Sequence, residues 1–349
     1  MAQIISEEMN YWLIRTYSGK YYAEFSQREY VALGWNEISD LGLIASASTK
    51  TKDRDILTEL AKKLLRAGKN RQPGDDKKDQ PGRITSPIMR FVNDINIGDT
   101  IIIPSADSVF LNFGKVTSDV FLKTDESILT DAGIPSLYKR RKVTWVKSVE
   151  KKHLDPYLFR LLNSHYAVTD ANEYAQYIDR TMYGYYTKGE RGHLVLEVKK
   201  ESGIYGTELV DLINQILSLV DLTNGVNGTH YDKNSIEVKL TLNSPGLIEL
   251  AGGIGIIGAV AVGATIMMGG KVNISMFKGV SLETTGIKGL IQQNKDVKLE
   301  NRKLDIEEKK LEVEKLKFIE TLARTSVQLP AEIGQREIPV AIEDNSFAE

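Results

Sequence analysis

Along the first 150 or so residues, short β-branched and aromatic runs at 11–16, 30–33, 100–104, 110–116 and 142–147 are separated by turn-forming residues. That spacing predicts a small β-barrel or a strongly bent sheet. One stretch breaks the pattern: Ile56, Leu57, Leu60, Leu64 and Leu65 recur at helical spacing, so a helix over 55–65 interrupts the strands. Residues 67–83 then carry Gly, Pro, Gln, Asp and Lys and almost nothing apolar, which reads as a mobile loop.

A second module runs from about 192 to 242. It reads as a strand at 194–199, a helix with Leu209, Leu212, Ile213, Ile216, Leu217 and Val220 on one face, and a strand at 235–242. The helix is long enough to serve as a crossover, so the two strands can run parallel. Beyond Pro245 the pattern changes: residues 250–270 hold seven glycines and no charge. As one helix these 21 residues would just cross a ~30 Å hydrocarbon core. Ala251, Gly255, Ala259 and Gly263 would then form a flat small-residue stripe, suited to close helix pairing in a membrane or an oligomer. The opposing reading is a buried helix or glycine-rich loops in a soluble oligomer. A single crossing is awkward because Lys271, Lys278 and Lys288 follow the segment, so a re-entrant hairpin or insertion on activation fits better.

Residues 290–325 are dense in Lys and Glu and predict a long helix that Pro330 ends. Val297, Leu304, Leu311 and Phe318 repeat at seven, and Leu299, Ile306 and Val313 repeat at seven on nearly the opposite face. Two seams imply neighbours on both sides, as in a ring, stack or filament, or else one seam on the chain's own body and one on a partner. The expected organisation is α+β: an N-terminal β-barrel with a helical insertion (1–170), a small α/β connector (171–245), the glycine-rich apolar segment (246–288), the charged assembly helix (289–329) and an acidic tail (330–349).

Composition narrows the function classes. With 349 residues, 42% hydrophobic and 26% charged, the chain is globular and long enough for two or three domains. A formal charge of −2 means that affinity for nucleic acid has to come from a local patch. Absence of cysteine excludes disulfides, thiolate metal sites and cysteine nucleophiles. His153, His165, His193 and His230 are far apart in no ligand spacing, so neither a metal site nor a cofactor is expected. The acidic start lacks a basic, then apolar, secretory leader, which points to the cytoplasm.

Two of the three tryptophans, Trp12 and Trp35, fall in the first strands, near Arg15, Asp40 and the Gly98–Asp99 turn. An indole beside polar groups on a small barrel can stack a base and hydrogen-bond its edge, although indoles are as often core. The ordered series Tyr11-Trp-Leu-Ile-Arg15, Phe25, Tyr30-Val-Ala-Leu-Gly-Trp35, Asp40-Leu41, Phe91, Ile95-Asn-Ile-Gly-Asp99, Gly114-Lys-Val116 and Arg141-Lys-Val-Thr-Trp145 resembles the N-terminal domain of Mrr-like restriction proteins. That domain is similar to the EVE/PUA group of small barrels, so the resemblance, over about 10–169, implies an aromatic pocket for a modified base or other nucleic-acid feature. Here Pro104-Ser105-Ala-Asp107 replaces the aspartate–aromatic strand end of such domains, so Ser105 would alter the pocket rim.

From 50 to 83 there are 11 Lys/Arg and 6 Asp/Glu, and Lys62, Lys63, Arg66, Lys69 and Arg71 either follow a phosphate backbone or solvate an insertion. Mrr-like proteins carry a metal-dependent nuclease domain after this module. Its nearest counterpart is Glu197-Val-Lys199 with Asp179 upstream, a pattern that an exposed strand face explains better, so no catalytic residue is expected. Two readings result. In one, the barrel senses a nucleic acid or nucleotide and controls an oligomerising effector at the inner membrane in bacterial anti-phage defence. In the other, the chain is a soluble oligomeric nucleic-acid-binding accessory subunit of a restriction-like system. Both expect a homo-oligomer and a nucleic-acid or nucleotide ligand, and both allow a co-encoded defence protein as partner.

Overall fold

The chain begins with a three-residue strand, β1 (Gln3–Ile5), whose partner lies far downstream. It then enters the first of two units, Glu8–Met182; the second comprises Met1–Glu7 and Tyr183–Glu349. The computed structural model describes residues 2–67, 80–124, 133–200, 203–241, 246–269, 272–273, 283–284, 300–331 and 333. Of the loop expected over 67–83, residues 68–79, with Lys69 and Arg71, lie outside the described residues, as does most of the acidic tail, while Ala67 ends one helix and Gly82 and Arg83 start the next.

In the first unit, the apolar runs become β2 (Tyr11–Ile14), β3 (Tyr30–Leu33), β4 (Thr100–Pro104) and β5 (Phe110–Val116). Helices α1 (Tyr22–Gln27), α2 (Leu41–Ser46), α3 (Thr51–Ala67) and α4 (Gly82–Met89) lie between them in the chain. After β6 (Phe121–Leu122) comes β7 (Lys139–Glu150), then α5 (Leu158–Leu162), β8 (Val168–Asp170) and α6 (Ala175–Met182). The sheet runs β3-β7-β5-β4-β2-β8, with β6 also on β7. β7 is long enough to hold two ladders: its first four residues pair with β3 and the rest with β5, past a bulge at Phe113/Gly114. A bulge bends and twists the strand that carries it, and the sheet curls into a half-barrel. β2, β3 and β4 are buried at every position, so each reads as a continuous apolar run. Their core takes in Phe25, Leu57, Ile88 and Phe91 from the helical segments.

The second unit contains β9 (Tyr185–Lys188), β10 (Arg191–Val198), α7 (Gly206–Asn227), β11 (Glu237–Thr241), β12 (Gly246–Gly253) and α8 (Ile254–Met267). The two-residue strands β13 (Val272–Asn273) and β14 (Glu283–Thr284) pair with each other, and α9 (Glu300–Thr325) and β15 (Val327–Gln328) follow. The main sheet runs β1-β9-β10-β12-β11, with β15 beside β10. The two strands expected to flank a crossover, β10 and β11, do point the same way, but β12 lies between them and is antiparallel to both.

β12 also corrects the expected apolar helix. Residues 246–253 pair one for one with β10, so Ala251 is a strand residue; the helix starts only after Gly253 and has 14 residues. At 1.5 Å per residue it spans about 21 Å, short of the ~30 Å apolar core of a bilayer. Among the described residues, no helix is long and apolar enough to cross a membrane. The stripe is therefore divided between two elements, and its small residues serve contacts within the chain. Gly255 faces the Tyr231 ring, Ala259 accepts a hydrogen bond from Thr223 Oγ1 at 2.8 Å, and Gly263 lies against Leu219 of α7. An α-helix apolar all round is a buried one, and Ile257, Val260 and Ala264 are fully enclosed. On α9, Phe318 and Leu322 are buried in the same core and Leu311 packs on it, whereas Val313 and Leu316 are exposed. The side chain of Leu304 lies outside the described residues.

Candidate functional site

Four segments of the first unit border a cleft of about 1100 Å³. The residues after β2 contribute Arg15 and Tyr17, and the turn after β3 contributes Trp35. α4 supplies Arg83 and Ser86, and a π-helical turn at its end, Arg90–Asp94, supplies Arg90. The connection from α5 to β8 adds Asn163, Ser164, His165 and Tyr166. Three arginines and four aromatic or imidazole rings line this space, and among the described residues no carboxylate lines it.

The two aromatic walls are held in a costly backbone conformation. Tyr17 has φ 54° and Trp35 has φ 54°, the left-handed region that a side chain with a Cβ enters at about 1–2 kcal/mol. Bonds to neighbouring segments hold them there. The Gly34 N–H donates to the Tyr17 hydroxyl at 2.8 Å, joining the two loops. A Cβ at Gly34 would collide with that hydroxyl, so glycine is what lets the loops meet. Burial pushes the Tyr17 hydroxyl above its ordinary range, which keeps it a phenol at neutral pH. The Trp35 carbonyl accepts from Ile38 N at 3.0 Å and from Lys139 Nζ at 2.8 Å. Asn36, next in the turn, donates to Ser136 O and accepts from Tyr138 N.

The cations differ in what they can offer a ligand. Arg15 donates to the carbonyls of Leu162 and Ser164, so it is a strut for the 162–168 wall. Arg90 places one N–H 3.3 Å from Val168 O. Arg83 is exposed at the mouth of the cleft. A planar, anionic ligand suits this lining: rings to stack on, and guanidinium groups for phosphate or carboxylate oxygens.

Of the binding residues singled out in the sequence, Arg15 and Trp35 line the cleft, Lys69 and Arg71 lie outside the described residues, and the others are placed elsewhere. Trp12 is 5% exposed, and its indole N–H donates to Asp99 Oδ2 at 2.9 Å. Asp99 also accepts from Asn10 N and Asn96 N, so the Gly98–Asp99 turn clamps the core around Trp12 and is not part of the cleft lining. Asp40 caps α2 by accepting from Leu43 N, and Ser105 accepts from Phe110 N in the β4–β5 turn. Lys62, Lys63 and Arg66 lie on α3, which packs on α4; Lys62 is paired with Glu59 at 2.6 Å.

Asp179 belongs to the first unit, where it is buried and accepts from the Tyr11 hydroxyl at 2.6 Å, and Glu197 lies on β10 of the second. Among the described residues, no cluster of three or more His, Asp or Glu is placed to hold a metal ion. Tyr17, Arg83, Arg90, Tyr166 and Lys139 escaped the sequence reading. The one available signal was the left-handed turn chemistry of Tyr17-Ser-Gly19.

Residues 11–162 match a family described as "Domain of unknown function (DUF8426)". The match covers the cleft residues from Arg15 to Arg90 and ends just before the 163–168 wall. No curated protein matches the chain.

Proposed function

We propose that the first unit is a recognition module for a nucleobase or nucleotide and that the protein is an oligomeric nucleic-acid-binding accessory component of a bacterial, restriction-like defence system. The carrying observation is the cleft itself, in which Trp35 and Tyr17 wall a space lined by Arg83 and Arg90 and, among the described residues, by no carboxylate. An indole face accepts any base, and guanidinium groups accept its phosphate. The defence setting rests on the resemblance of 10–169 to Mrr-like N-terminal domains, which implies a modified base as one ligand to try.

What supports the accessory reading over the membrane-effector one is the use the fold makes of α8. To act at a bilayer, that helix would have to leave a core in which Ile257, Val260 and Ala264 are fully enclosed. Emptying such a core forfeits about 1.5–3 kcal/mol for each large side chain exposed.

The test is fluorescence anisotropy with a labelled single-stranded oligonucleotide, competed by nucleoside monophosphates. Losing one base–aromatic stack costs about 1–3 kcal/mol, so Trp35→Ala binds roughly 10- to 100-fold more weakly, while Lys152→Ala, at an exposed lysine outside the cleft, binds as wild type. Equal affinity of Trp35→Ala and wild type overturns the proposal.

A further inference from the structure

Lys139 opens β7 and is fully enclosed, at 0% exposure. It sits opposite Leu33 of β3 and Leu122 of β6, two side chains that offer it no hydrogen bond. Its ammonium instead donates to Trp35 O at 2.8 Å and to Ile38 O at 2.8 Å. Glu37, on the same turn, is the charge whose field reaches it. Taking an ammonium out of water costs several kcal/mol, which a methionine or leucine in this position would not incur. Both acceptors belong to the one turn that carries Trp35 in its left-handed conformation.

We propose that Lys139 is a positioning residue for the cleft, a protonation-dependent latch that holds the 35–38 turn and so keeps the Trp35 indole in the wall. Its consequence for binding rests on the reading of the cleft given above; the latch itself does not. Burial lowers the Lys139 ammonium from its ordinary 10.5 to about 8, against the opposing pull of Glu37. Hydrogen bonds from a charged donor are about twice as strong as neutral ones. The turn is therefore held firmly at neutral pH, and the hold weakens as pH rises through about 8. Tyr17, the other titratable group tied to this turn, is pushed upward and away from that window. His165 lines the same cleft and is replaced in the experiment.

The test uses the full chain in a His165→Asn background, labelled with 5-fluorotryptophan. Three tryptophans give three ¹⁹F resonances, and Trp35→Phe assigns one of them. Between about pH 7 and about pH 9.5 the Trp35 resonance is expected to shift with a midpoint near 8 while those of Trp12 and Trp145 stay put. In Lys139→Met it should sit at the high-pH position throughout. A Trp35 signal flat across the window, or the same transition in Lys139→Met, overturns the latch. The wild-type titration decides the matter even where the methionine variant does not fold. Oligonucleotide affinity should fall several-fold over the same interval. A Trp35 transition in a protein that takes up neither oligonucleotide nor nucleoside monophosphate upholds the latch and overturns the nucleotide reading; strong binding with a silent Trp35 does the reverse.

Discussion

Lys139, Arg140, Arg141 and Lys142 form a run of four cations that reads as a solvated strand face, yet only Lys142 is exposed. Each of the other three satisfies backbone carbonyls. Arg140 donates to Leu137 O and lies over the Tyr30 ring, and Arg141 holds Phe91 O and Val92 O at the end of α4. Charge in a sequence marks hydration only when no carbonyl competes for the donor, and that competition is set by segments distant in the chain. Trp12 and Trp35 make the same point. Both are indoles in or beside strands, and what separates core from cleft is Asp99 on one side and a left-handed turn on the other. Residue type flagged Trp35 and Arg15 as site residues; Tyr17 had only its turn chemistry to mark it, and Arg83 and Arg90 carry no local mark, because the cleft exists only once four segments meet. The buried lysine has a thermodynamic signature. Its native pKa of about 8 lies below its ordinary 10.5, so between these values the unfolded chain binds more protons and stability rises with pH. The penalty is fully present below about 8 and gone above about 10.5, worth up to about 3 kcal/mol. Tyr21 and Tyr185, raised by burial, push the other way at the alkaline end. Urea unfolding of wild type and Lys139→Met should therefore be compared at about pH 7.5 and about pH 9.5, where the difference between the two proteins cancels the tyrosines. Wild type is expected to gain relative to the variant as pH rises, and no relative gain would mean that the ammonium is already hydrated.

At the scale of elements, apolar runs tell where the chain is buried and leave open against what. Residues 30–33, 100–104 and 110–116 are strands within the bounds their β-branched runs suggest, because each is buried on the faces its composition demands. Residues 250–270 misled for the complementary reason. A glycine-rich uncharged stretch suits a membrane helix, but β10 offers residues 246–253 a complete antiparallel ladder, a non-local partner that no periodicity displays. What remains is a helix whose glycines are contact points. A Cβ at Gly263 would lie 2.8 Å from Leu219 Cβ and 2.9 Å from Leu219 O, and the backbone atom cannot rotate away. Gly263→Ala is therefore expected to destabilise the second unit by about 1–3 kcal/mol, the usual cost of overpacking a close contact. Gly225 of α7 has nothing within 4 Å of a built Cβ, so Gly225→Ala should be neutral or stabilising by up to about 1 kcal/mol. Thermal or urea unfolding of both variants separates the two outcomes. A Gly263→Ala protein as stable as wild type would show that α7 and α8 are not packed as closely as this.

For the whole molecule, a net charge of −2 means that no global field draws nucleic acid to it. Among the described residues, the arginines of the cleft and Lys63 and Arg66 on α3, which lies against α4, are the local cations placed to supply attraction. A handful of phosphate contacts gives weak, salt-sensitive binding. Multivalency would offset that weakness, since linked copies turn each further binding step into an intramolecular one. Among the described residues, one surface available for linking copies is the side of α9 that bears Val313 and Leu316. Phe318 and Leu322 are spent on the chain's own core, which leaves Val313 and Leu316, 50% and 63% exposed, as an apolar pair among lysines and glutamates. If α9 joins copies in the homo-oligomer we propose, light scattering should give wild type a multiple of 39.0 kDa and Val313→Asp/Leu316→Asp a single 39.0 kDa chain. Affinity for a long single strand should then fall in the double variant by about 100-fold or more, the scale of lost avidity, while that for a short oligonucleotide occupying one cleft stays unchanged. A wild type that is already monomeric, or a double variant that holds the long strand as tightly, would place the whole burden of recognition on one cleft and remove α9 from it.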